Sequence, residues 1–530
     1  MVAMKLVLIY FTLCTMTLCS FGDGYRILGV FPYSAKSQNI VFEALMKGLA
    51  KRGHQVDVIS HYPQTEPVKN YNVIINLEGS MENTMNNFTF QYIANINNDI
   101  IANIADFYGN RLCQFLGSEQ IQTLIKNPPK DPPYNLIIIG AFGAHCYFGL
   151  GYVFNVPVVA ISSSMEYPWV SHFIGNDENL AYVHNTFHIG IGRMSFIERL
   201  KNVISNYIAV RRFHKLTEKI QTDAMRTYLR PNIPNIREVE RNIALTLVNS
   251  HHVLFGVKPI VPSLIQIGGL HVEAGNETLP AELKKWMDES SSGIVYFSFG
   301  SMILIETFPA NQLREIFASI EKMSPVRVLI KIFNSTMLSQ SIPSNVKIMP
   351  WMPQQAVLAH PNTKVFVTHG GLGGTQEALY YGVPMIGIPL FGDQFRNVQS
   401  FVEKQMGVKI DYKQLNGKTM GAALTALLHN PTYQEKAKYY SKLFRDNPIR
   451  PMDKAAFWIE YVIRNGANVL KSPALELSFL QLSLLDVYLT ILFFIIITTF
   501  VLCWNLKMIL QFLIRKYRHV APANIVKKRE

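Results

Sequence analysis

The spacing of apolar residues switches between two periods along the chain, and the switches follow a regular order. Residues 25–31 are an apolar run, residues 41–52 have the spacing of an amphipathic helix that Gly53 ends, and residues 55–60 are a second apolar run. Because a crossover helix between two such runs makes the strands parallel, this region predicts a βαβ unit. The same criteria predict further strands at residues 73–77, 136–139 and 157–161.

A second alternation of the same kind begins after residue 290. It opens with the apolar run GIVYFSFGS at Gly293 and continues with a predicted helix near residues 312–322. The apolar runs that follow predict strands at residues 326–332, 365–368 and 385–388. A chain with two separate series of this kind is expected to build two doubly wound sheets.

We therefore expect two Rossmann-like α/β domains, residues 23–265 and residues 290–465. The polar stretch at residues 237–252 and the proline-bearing stretch at residues 258–266 predict the approach to the boundary. Ligands of such sheets bind beyond the carboxyl ends of the strands, so two facing domains predict a binding cleft between them.

Two apolar segments lie outside these domains, one near each end. Residues 1–22 have one lysine, an apolar stretch and small residues after it, as is typical of a secretory signal peptide. Residues 487–506 are uncharged and long enough to form a transmembrane helix, and the basic residues 507–530 follow directly. Because positive residues stay in the cytosol, we predict a single-pass type I membrane protein with luminal domains and a cytosolic tail. The final KKRE resembles the dilysine retrieval signal of endoplasmic reticulum membrane proteins.

Composition and charge exclude two classes of protein. The 530 residues have 49% hydrophobic and 12% aromatic content, which excludes a disordered chain. The net charge of +13 is concentrated in the tail, where seven Lys or Arg and one Glu give +6 and leave +7 for the preceding 506 residues. We therefore expect no nucleic-acid partner.

The cysteines and sequons agree with a luminal location. Cys113 and Cys146 are the cysteines left outside the signal peptide and the membrane segment, and they form either one disulfide or two free thiols. The sequons at Asn87, Asn276 and Asn334 predict N-glycosylation. Two cysteines supply no metal-binding set, and we expect no metal.

A glycine-rich turn follows the predicted strand at residues 365–368. In FVTHGGLGGTQE, residues 366–377, a histidine and four glycines stand where the strand passes into a helix. Glycines let the backbone approach a ligand closely, and the free N–H groups at a helix start favour an anion. Phosphate is the first ligand that this pattern favours, although an isolated turn of this kind is more often a packing feature.

The turn belongs to a longer motif, WMPQQAVLAHPNTKVFVTHGGLGGTQEALYYGVPMIGIPLFGDQ at residues 351–394. This motif resembles the donor-binding signature of the UDP-glycosyltransferases over its whole length. The stretches KGLAKRGHQVDVIS, VYFSFGSM and DKAAFWIEYVI, with the membrane anchor and lysine tail, extend the resemblance to the animal membrane-bound branch, particularly its insect members. The resemblance implies a GT-B fold with an N-terminal acceptor-binding domain and a C-terminal UDP-sugar-binding domain.

The resemblance also implies roles for the nucleoside-binding residues. Trp351 would stack on uracil, and the alternative is a tryptophan of the core. Gln354 would position the nucleoside. Glu377 would accept hydrogen bonds from ribose hydroxyls, and the alternative is an ordinary glutamate on a helix surface.

Further roles follow for the phosphates and the sugar. His369 and the backbone around Gly371 and Gly374 would face the diphosphate, where negative charge grows as UDP leaves. Ser298, Gly300 and Ser301 could add donors, while Asp393 and Gln394 would hold the sugar hydroxyls. This scheme needs no metal and no cofactor beside the UDP-sugar co-substrate.

The expected catalytic pair departs from the family pattern. The family uses a histidine after the first strand as general base and an aspartate to orient it. Gln38 stands at the histidine position, and an amide cannot accept a proton near neutral pH. His145 stands at the aspartate position. Either His145 has become the base, or both positions have drifted and catalysis is lost or limited, or His145 is a core residue and the alignment gap is misplaced.

Two hypotheses about function follow. The first is inverting transfer of a hexosyl group, most simply glucose, from a UDP-sugar to hydroxyls of small lipophilic acceptors at the endoplasmic reticulum membrane, for detoxification or conjugation. The second is a pseudoenzyme that binds a nucleotide sugar or a lipophile without turnover. The sequence leaves the acceptor, the sugar and a homo-oligomer open.

Overall fold

The computed structural model describes residues 24–64, 66–81, 84–95, 99–187, 190, 192–273 and 277–520. The predicted signal peptide, the sequon residue Asn276 and the end of the basic tail lie outside these ranges. The chain divides into two compact units, one that ends at Ser472 and one that begins at Pro473.

The strands described in the first unit form two parallel sheets. The first sheet has the order β3-β2-β1-β4-β5-β6-β7, and the second has the order β10-β9-β8-β11-β12-β13. The strands of the first sheet are β1 Arg26–Phe31, β2 Gln55–Ser60, β3 Tyr71–Asn76, β4 Leu136–Gly140, β5 Val158–Ser162, β6 Leu245–Val248 and β7 Leu264–Gln266. Those of the second are β8 Ile294–Ser298, β9 Arg327–Lys331, β10 Val346–Met349, β11 Thr363–Thr368, β12 Met385–Gly387 and β13 Gly407–Lys409.

Helices connect the strands and cover both sheets. The helices of the first part of the chain are α1 Lys36–Lys51, α2 Phe90–Asn95, α3 Ile100–Ala105, α4 Arg111–Cys113, α5 Glu119–Lys126, α6 Leu150–Phe154, α7 Pro168–Phe173, α8 Phe196–Tyr228, α9 Ile236–Glu240, α10 His252–Phe255 and α11 Leu270–Glu273. Those that follow are α12 Ala281–Asp288, α13 Ala310–Glu321, α14 Gln354–Ala359, α15 Leu372–Tyr381, α16 Gln394–Glu403, α17 Gly417–His429, α18 Pro431–Arg445, α19 Pro451–Asn465, α20 Phe479–Leu482 and α21 Leu485–Val520.

Local sequence explains why these elements form. Strand β4 reads LIIIG and is buried along its length, as expected for a parallel strand covered on both faces. Helix α1 buries Val41, Phe42 and Leu45 on one face, and Gly53, with φ of +97°, allows the turn into β2. The predicted βαβ unit is therefore present in the structure.

The predicted approach to the domain boundary contains two strands that the sequence did not predict. Residues 237–252 and 258–266 contain strands β6 and β7, which extend the first sheet. Their short length and the adjacent polar residues and prolines concealed them. Helix α19 was expected to belong to the second domain, residues 290–465. Its side chains Ala455, Ile459 and Val462 instead pack into the core of the first sheet.

The sequence left the state of the two luminal cysteines open and predicted a transmembrane helix. Cys113 and Cys146 form a disulfide in the structure. In the second unit, Leu485–His519 is a helix long and apolar enough to cross a membrane, and it contains the predicted span at residues 487–506.

The strand orders place a switch point in each sheet. Strand β1 lies between β2 and β4, and strand β8 lies between β9 and β11, so connections leave each pair on opposite faces. A crevice forms where such connections diverge at the carboxyl ends of the strands. The segments after β1, β4, β8 and β11 are therefore the expected walls of a site.

Candidate functional site

A cavity of about 1160 Å³ lies where segments from both sheets meet. From the first sheet it is lined by Gln38, at the start of α1, and by Phe142, which follows β4. From the second it is lined by Ser301, after β8, and by His369, after β11. The volume exceeds the range of a pocket for one drug-sized ligand, and it suits two substrates.

A hydrogen-bonded row of side chains forms one end of the cavity. Gln354 donates from Nε2 to Glu377 Oε2 at 2.6 Å and accepts at Oε1 from the Tyr296 hydroxyl at 3.1 Å. His271 Nε2 lies 3.5 Å from the other oxygen of Glu377. Gly374 keeps the row close to the backbone, because a Cβ there would lie 3.2 Å from Gln354 Nε2.

The exposed fractions of Trp351 and Glu377 distinguish a ligand-binding role from the structural role that was the alternative for each. The Trp351 side chain lines the cavity and is 46% exposed, which does not fit a tryptophan of the core. Glu377 lies on α15 but is only 6% exposed, which does not fit an ordinary glutamate on a helix surface. Both side chains are available to a ligand in the cavity.

The glycine-rich turn brings His369 against the start of α15. Gly300 and Gly371 leave room for its ring, because a Cβ at these positions would lie 2.7 Å from Cε1 and 2.6 Å from Nε2 respectively. The His369 Nδ1 atom is buried and has no hydrogen-bond partner among the described residues. Desolvation, and secondly the charge of Lys331, lower the pKa of His369 to about 4, so its imidazole is neutral at pH 7.

Lys331, at the end of β9, supplies a positive charge beside this turn. Its Nζ donates to the Gly300 carbonyl and to Asn86 Oδ1, both at 2.8 Å, and lies 5.4 Å from the centre of the Trp351 ring. Desolvation lowers the pKa of Lys331 to about 8, although Glu306 opposes this shift. The Ser301 hydroxyl is buried nearby without a hydrogen-bond partner within the described ranges.

Asp393 and Gln394 lie at the start of α16 and also line the cavity. Asp393 Oδ2 accepts from Asn397 at 2.9 Å, and desolvation raises the pKa of Asp393. Gln394 Oε1 accepts from the backbone N–H groups of Leu390 and Phe391 at 2.8 and 3.0 Å. Because its carbonyl end is engaged, contact with a ligand would involve the Gln394 amide nitrogen.

The opposite wall of the cavity holds Gln38 among both apolar and polar side chains, and the polar ones include Asn103 and Asp106. The Gln38 Oε1 atom is buried and has no partner in the part of the chain that the structure describes. Burial raises the pKa of the nearby Tyr108 to about 12. The neighbouring apolar or aromatic lining residues are Val41, Phe88, Tyr92, Ile104, Phe107 and Phe142.

His145 does not line this cavity. Its side chain is fully buried, and its Nδ1 lies 2.5 Å from Glu240 Oε1, between the rings of Phe148 and Phe213. Burial lowers the pKa of His145 and outweighs the effect of Glu240. Burial opposes ionisation of Glu240, but Arg237 and the histidine hydrogen bond lower its pKa. A neutral His145 that donates to a carboxylate fits the interpretation of a core residue.

One sequon lies inside the cleft. Asn87 lines the cavity, and its backbone N–H donates to the Met302 carbonyl at 3.1 Å. The adjacent Phe88 N–H donates to the same carbonyl at 2.9 Å, so this segment joins the two walls. A glycan on Asn87 would occupy the cavity, whereas Asn334 lies at a surface turn outside its lining.

Sequence reasoning missed several cavity residues, among them Tyr296, Lys331 and His271. Lys331 ends β9 after the apolar residues 328–330, and a lysine in a buried strand is a signal that could have identified it. His271 follows the predicted boundary of the first domain, where no motif drew attention to it. The donor-binding residues that the sequence analysis predicted, from Ser301 to Gln394, all line this cavity.

Sequence comparisons find long matches to this chain. A family model described as UDP-glucoronosyl and UDP-glucosyl transferase matches residues 34–520. UDP-glucosyltransferase 2 of Dactylopius coccus is 34% identical over 518 residues, which are 96% of this chain and 97% of the relative. The ecdysteroid UDP-glucosyltransferase of Lymantria dispar multicapsid nuclear polyhedrosis virus is 29% identical over 90% of this chain and 95% of its own. UDP-glucuronosyltransferase 2B13 of Oryctolagus cuniculus is 33% identical over 64% of this chain and 62% of its own.

Two solved structures share the fold. The glycosyltransferase VinC in complex with DTDP matches with a TM-score of 0.58 and 16% identity, over 83% of this chain and all of that one. The glycotransferase of kitacinnamycin matches with a TM-score of 0.53 and 19% identity, over 83% of this chain and 98% of that one. These matches confirm the predicted GT-B fold.

Proposed function

The chain belongs to the UDP-glycosyltransferase family, and from this membership we propose that it transfers a hexosyl group, most simply glucose, from a UDP-sugar to small lipophilic acceptors. Glucose is favoured because a relative matched over nearly its whole length is named a UDP-glucosyltransferase. The ecdysteroid named for the viral relative supports a lipophilic acceptor class. The role would be conjugation or detoxification.

The observation that carries this proposal is the row Tyr296, Gln354 and Glu377 beside the half-exposed Trp351. The row fixes a carboxylate and an amide at the end of the cavity, where they suit ribose hydroxyls and the uracil edge. The Trp351 ring provides a face for the base. A nucleoside held there directs its diphosphate toward the turn after β11.

The turn is suited to the charge that develops during transfer. In an inverting reaction the acceptor oxygen bonds to the anomeric carbon as the bond from that carbon to the phosphate oxygen breaks. UDP keeps the electron pair, and the acceptor loses its proton to a base or to water. The N–H groups at the start of α15, the neutral His369 and the charged Lys331 would stabilise the departing diphosphate. Asp393 and Gln394 would hold the sugar.

The acceptor side supplies no strong base at the position of Gln38. Because His145 is buried away from the cavity, we do not assign it the role of base. We infer that the enzyme prefers acceptors that ionise readily, such as acidic phenols, which need little help in losing the proton. The second candidate function is a pseudoenzyme. Gln38 and His145 support it too, because neither supplies a base to the cavity.

The proposed location is the endoplasmic reticulum membrane with the catalytic part in the lumen. The disulfide between Cys113 and Cys146 suits an oxidising compartment, and the apolar helix α21 with its basic end suits a type I anchor. N-glycosylation is proposed for Asn334, while Asn87 is an unfavourable acceptor because it lies in the cleft. The absence of a metal requirement also stays a prediction.

Microsomes that contain the full chain provide the test. They are incubated with UDP-glucose or UDP-glucuronate and 4-nitrophenol, and product is measured with a matched Glu377→Ala preparation as control. Glucoside formation that depends on Glu377 supports the proposal. Binding of UDP without product from a broad panel of acidic phenols and both sugars would favour the pseudoenzyme.

A further inference from the structure

A second cavity of about 550 Å³ adjoins the main one at Asp393. The two cavities share Tyr167, Gly392 and Asp393 in their linings, and a Cβ at Gly392 would meet no other atom of the described residues within 4 Å. The volume suits a small organic ligand. We call this cavity the side chamber, and its lining includes Ile101, Tyr167, Phe187, Arg212, Asp393 and Arg396.

The side chamber holds a buried arginine that lacks a polar partner. Arg396 is only 8% exposed, and its Nε atom is buried without a hydrogen-bond partner. Within the part of the chain that the structure describes, its guanidinium makes no ion pair and contacts the face of the Phe255 ring, 5.5 Å from the ring centre. A buried guanidinium without hydrogen-bond acceptors is costly, so we expect Arg396 to have a ligand.

The nearest carboxylates do not compensate the charge of Arg396. Glu166 and Glu178 share one ammonium group, because Lys258 Nζ pairs with Glu166 and lies 2.6 Å from Glu178 Oε1. Burial lowers the pKa of Arg396 and outweighs the opposing charges of Glu178 and Glu166. An anion inside the side chamber would supply the charge that these carboxylates do not.

The other charged groups of the lining are engaged. Arg212 pairs with Asp99, and Asp393 Oδ2 accepts from Asn397 at 2.9 Å. Desolvation also raises the pKa of Asp393, which favours its neutral form. Arg396 lies in the first turn of α16, where the helix dipole disfavours a cation and attracts an anion. The guanidinium and the helix start therefore favour the same kind of ligand.

We propose that the side chamber binds a substrate carboxylate through the guanidinium of Arg396. The inference deepens the proposed function and rests on it for the kind of substrate. A guanidinium donates two parallel hydrogen bonds to a carboxylate, and the rings of Tyr167 and Phe187 suit an attached carbon skeleton. The carboxylate belongs either to an acceptor or to a uronic acid sugar of the donor, because Asp393 lines both cavities.

Equilibrium binding to the full chain in lipid nanodiscs tests the inference with two matched pairs of ligands. In the acceptor arm, protein saturated with UDP is titrated with 4-hydroxyphenylpropionate or its methyl ester. In the donor arm, protein without acceptor is titrated with UDP-glucuronate or UDP-glucose. In at least one arm we expect the carboxylate ligand to bind about tenfold more tightly than its neutral match. Equal affinities in both arms for the wild type would overturn the proposal.

Two variants locate the preference. Arg396→Gln removes the charge, and Ile101→Trp fills the side chamber but leaves Arg396 in place, since Ile101 lines the side chamber and not the main cavity. Each should reduce the tenfold preference to less than about twofold. Lys404→Gln is the control on the same helix, because Lys404 donates to the Leu254 carbonyl at 3.2 Å outside both linings. It should keep the preference.

The outcomes separate this inference from the proposed function. A preference that persists in folded Arg396→Gln would overturn the inference, and Ile101→Trp decides in its place if Arg396→Gln does not fold. Loss of the preference in Lys404→Gln would also overturn it, since any loss of positive charge would then have the same effect. The arm that shows the preference identifies the acceptor or the sugar as its source. Because binding needs no turnover, a chain that keeps the preference but forms no glycoside would contradict the proposed function alone.

Discussion

On one wall of the cleft, Gln354 donates to Glu377 and accepts from Tyr296, whereas on the other wall the buried Oε1 of Gln38 has no partner in the described residues. Both walls are the carboxyl edges of parallel sheets at a switch point. The wall of Tyr296, Gln354 and Glu377, called the donor wall after its proposed role, is organised without a ligand, because these side chains hold each other in place. The wall that holds Gln38, called the acceptor wall after its proposed role, mixes apolar side chains such as Phe142 with polar ones such as Asn103.

The difference teaches how each substrate is recognised. UDP has fixed hydrogen-bonding groups and charge, and under the proposed function the row of specific polar side chains would match them. A variable lipophilic acceptor needs contact area and no fixed pattern of donors. We therefore expect donor-wall substitutions to reduce binding sharply, and we expect the acceptor wall to determine which acceptors react.

The largest effect is expected at His145, which belongs to neither wall. His145→Ala leaves a cavity and an ionised Glu240 with Arg237 as its partner, so stability should fall by about 2 to 4 kcal/mol. Chemical unfolding measures this loss, and the exposed His172, paired with Asp177, is the matched control because His172→Ala should cost under about 0.5 kcal/mol. A folded His145→Ala enzyme with a hundredfold lower kcat would restore His145 as the base.

The next effect tests the organisation of the donor wall. Glu377→Ala removes the partner of Gln354 and a candidate ribose contact, so UDP affinity should fall by about 1 to 3 kcal/mol. Isothermal titration measures the affinity, with the surface residue Glu403→Ala as control. Equal affinity of the wild type and Glu377→Ala would remove Glu377 from the nucleoside site.

A smaller gain is expected on the acceptor wall. Gln38→His places a titratable imidazole at the start of α1 and should raise kcat for an aliphatic alcohol by roughly tenfold, below the full effect of a positioned base. Gln38→Leu is the control and should leave the alcohol rate unchanged. If Gln38→Leu abolishes activity toward every acceptor, Gln38 itself takes part in the reaction.

The smallest effect concerns pH. Lys331 has a pKa of about 8 in the free protein, and a bound diphosphate raises it. UDP affinity should therefore be constant below pH 8 and decline above it, by at most tenfold per pH unit, until the pKa of the complex is reached. Lys331→Arg stays charged and should not show this decline. Parallel titrations of both proteins from pH 7 to 9.5 decide the point, and identical profiles would exclude Lys331 as the cause.

The same comparison explains what could be predicted from sequence. The donor wall is nearly continuous in the chain, so the motif at residues 351–394 identified Trp351 through Gln394 together. The acceptor wall is assembled from distant segments, including Gln38, Asn87 and Phe142, and no local pattern joins them. Strands β6 and β7 were missed because they have four and three residues and lack a full alternation.

Packing between distant segments accounts for the remaining differences between the predictions and the structure. The burial of His145 depends on Glu240 and Phe213, which are far away in sequence and could not be matched to it without the fold. The packing of α19 against the core of the first sheet likewise depends on contacts between distant residues, such as Glu460 with His54.

The central claim is that an organised donor wall faces an acceptor wall without a strong base. Reaction rates with a series of phenols and alcohols test it most directly. Wild-type enzyme is saturated with UDP-glucose, and kcat/KM is measured for acceptors of similar size and increasing pKa. We predict a steep decline, with 4-nitrophenol at least about 100-fold faster than a simple alcohol, because acceptor ionisation replaces the missing base. Equal rates for the nitrophenol and the alcohol would contradict the account, since they would require a strong base on the acceptor wall.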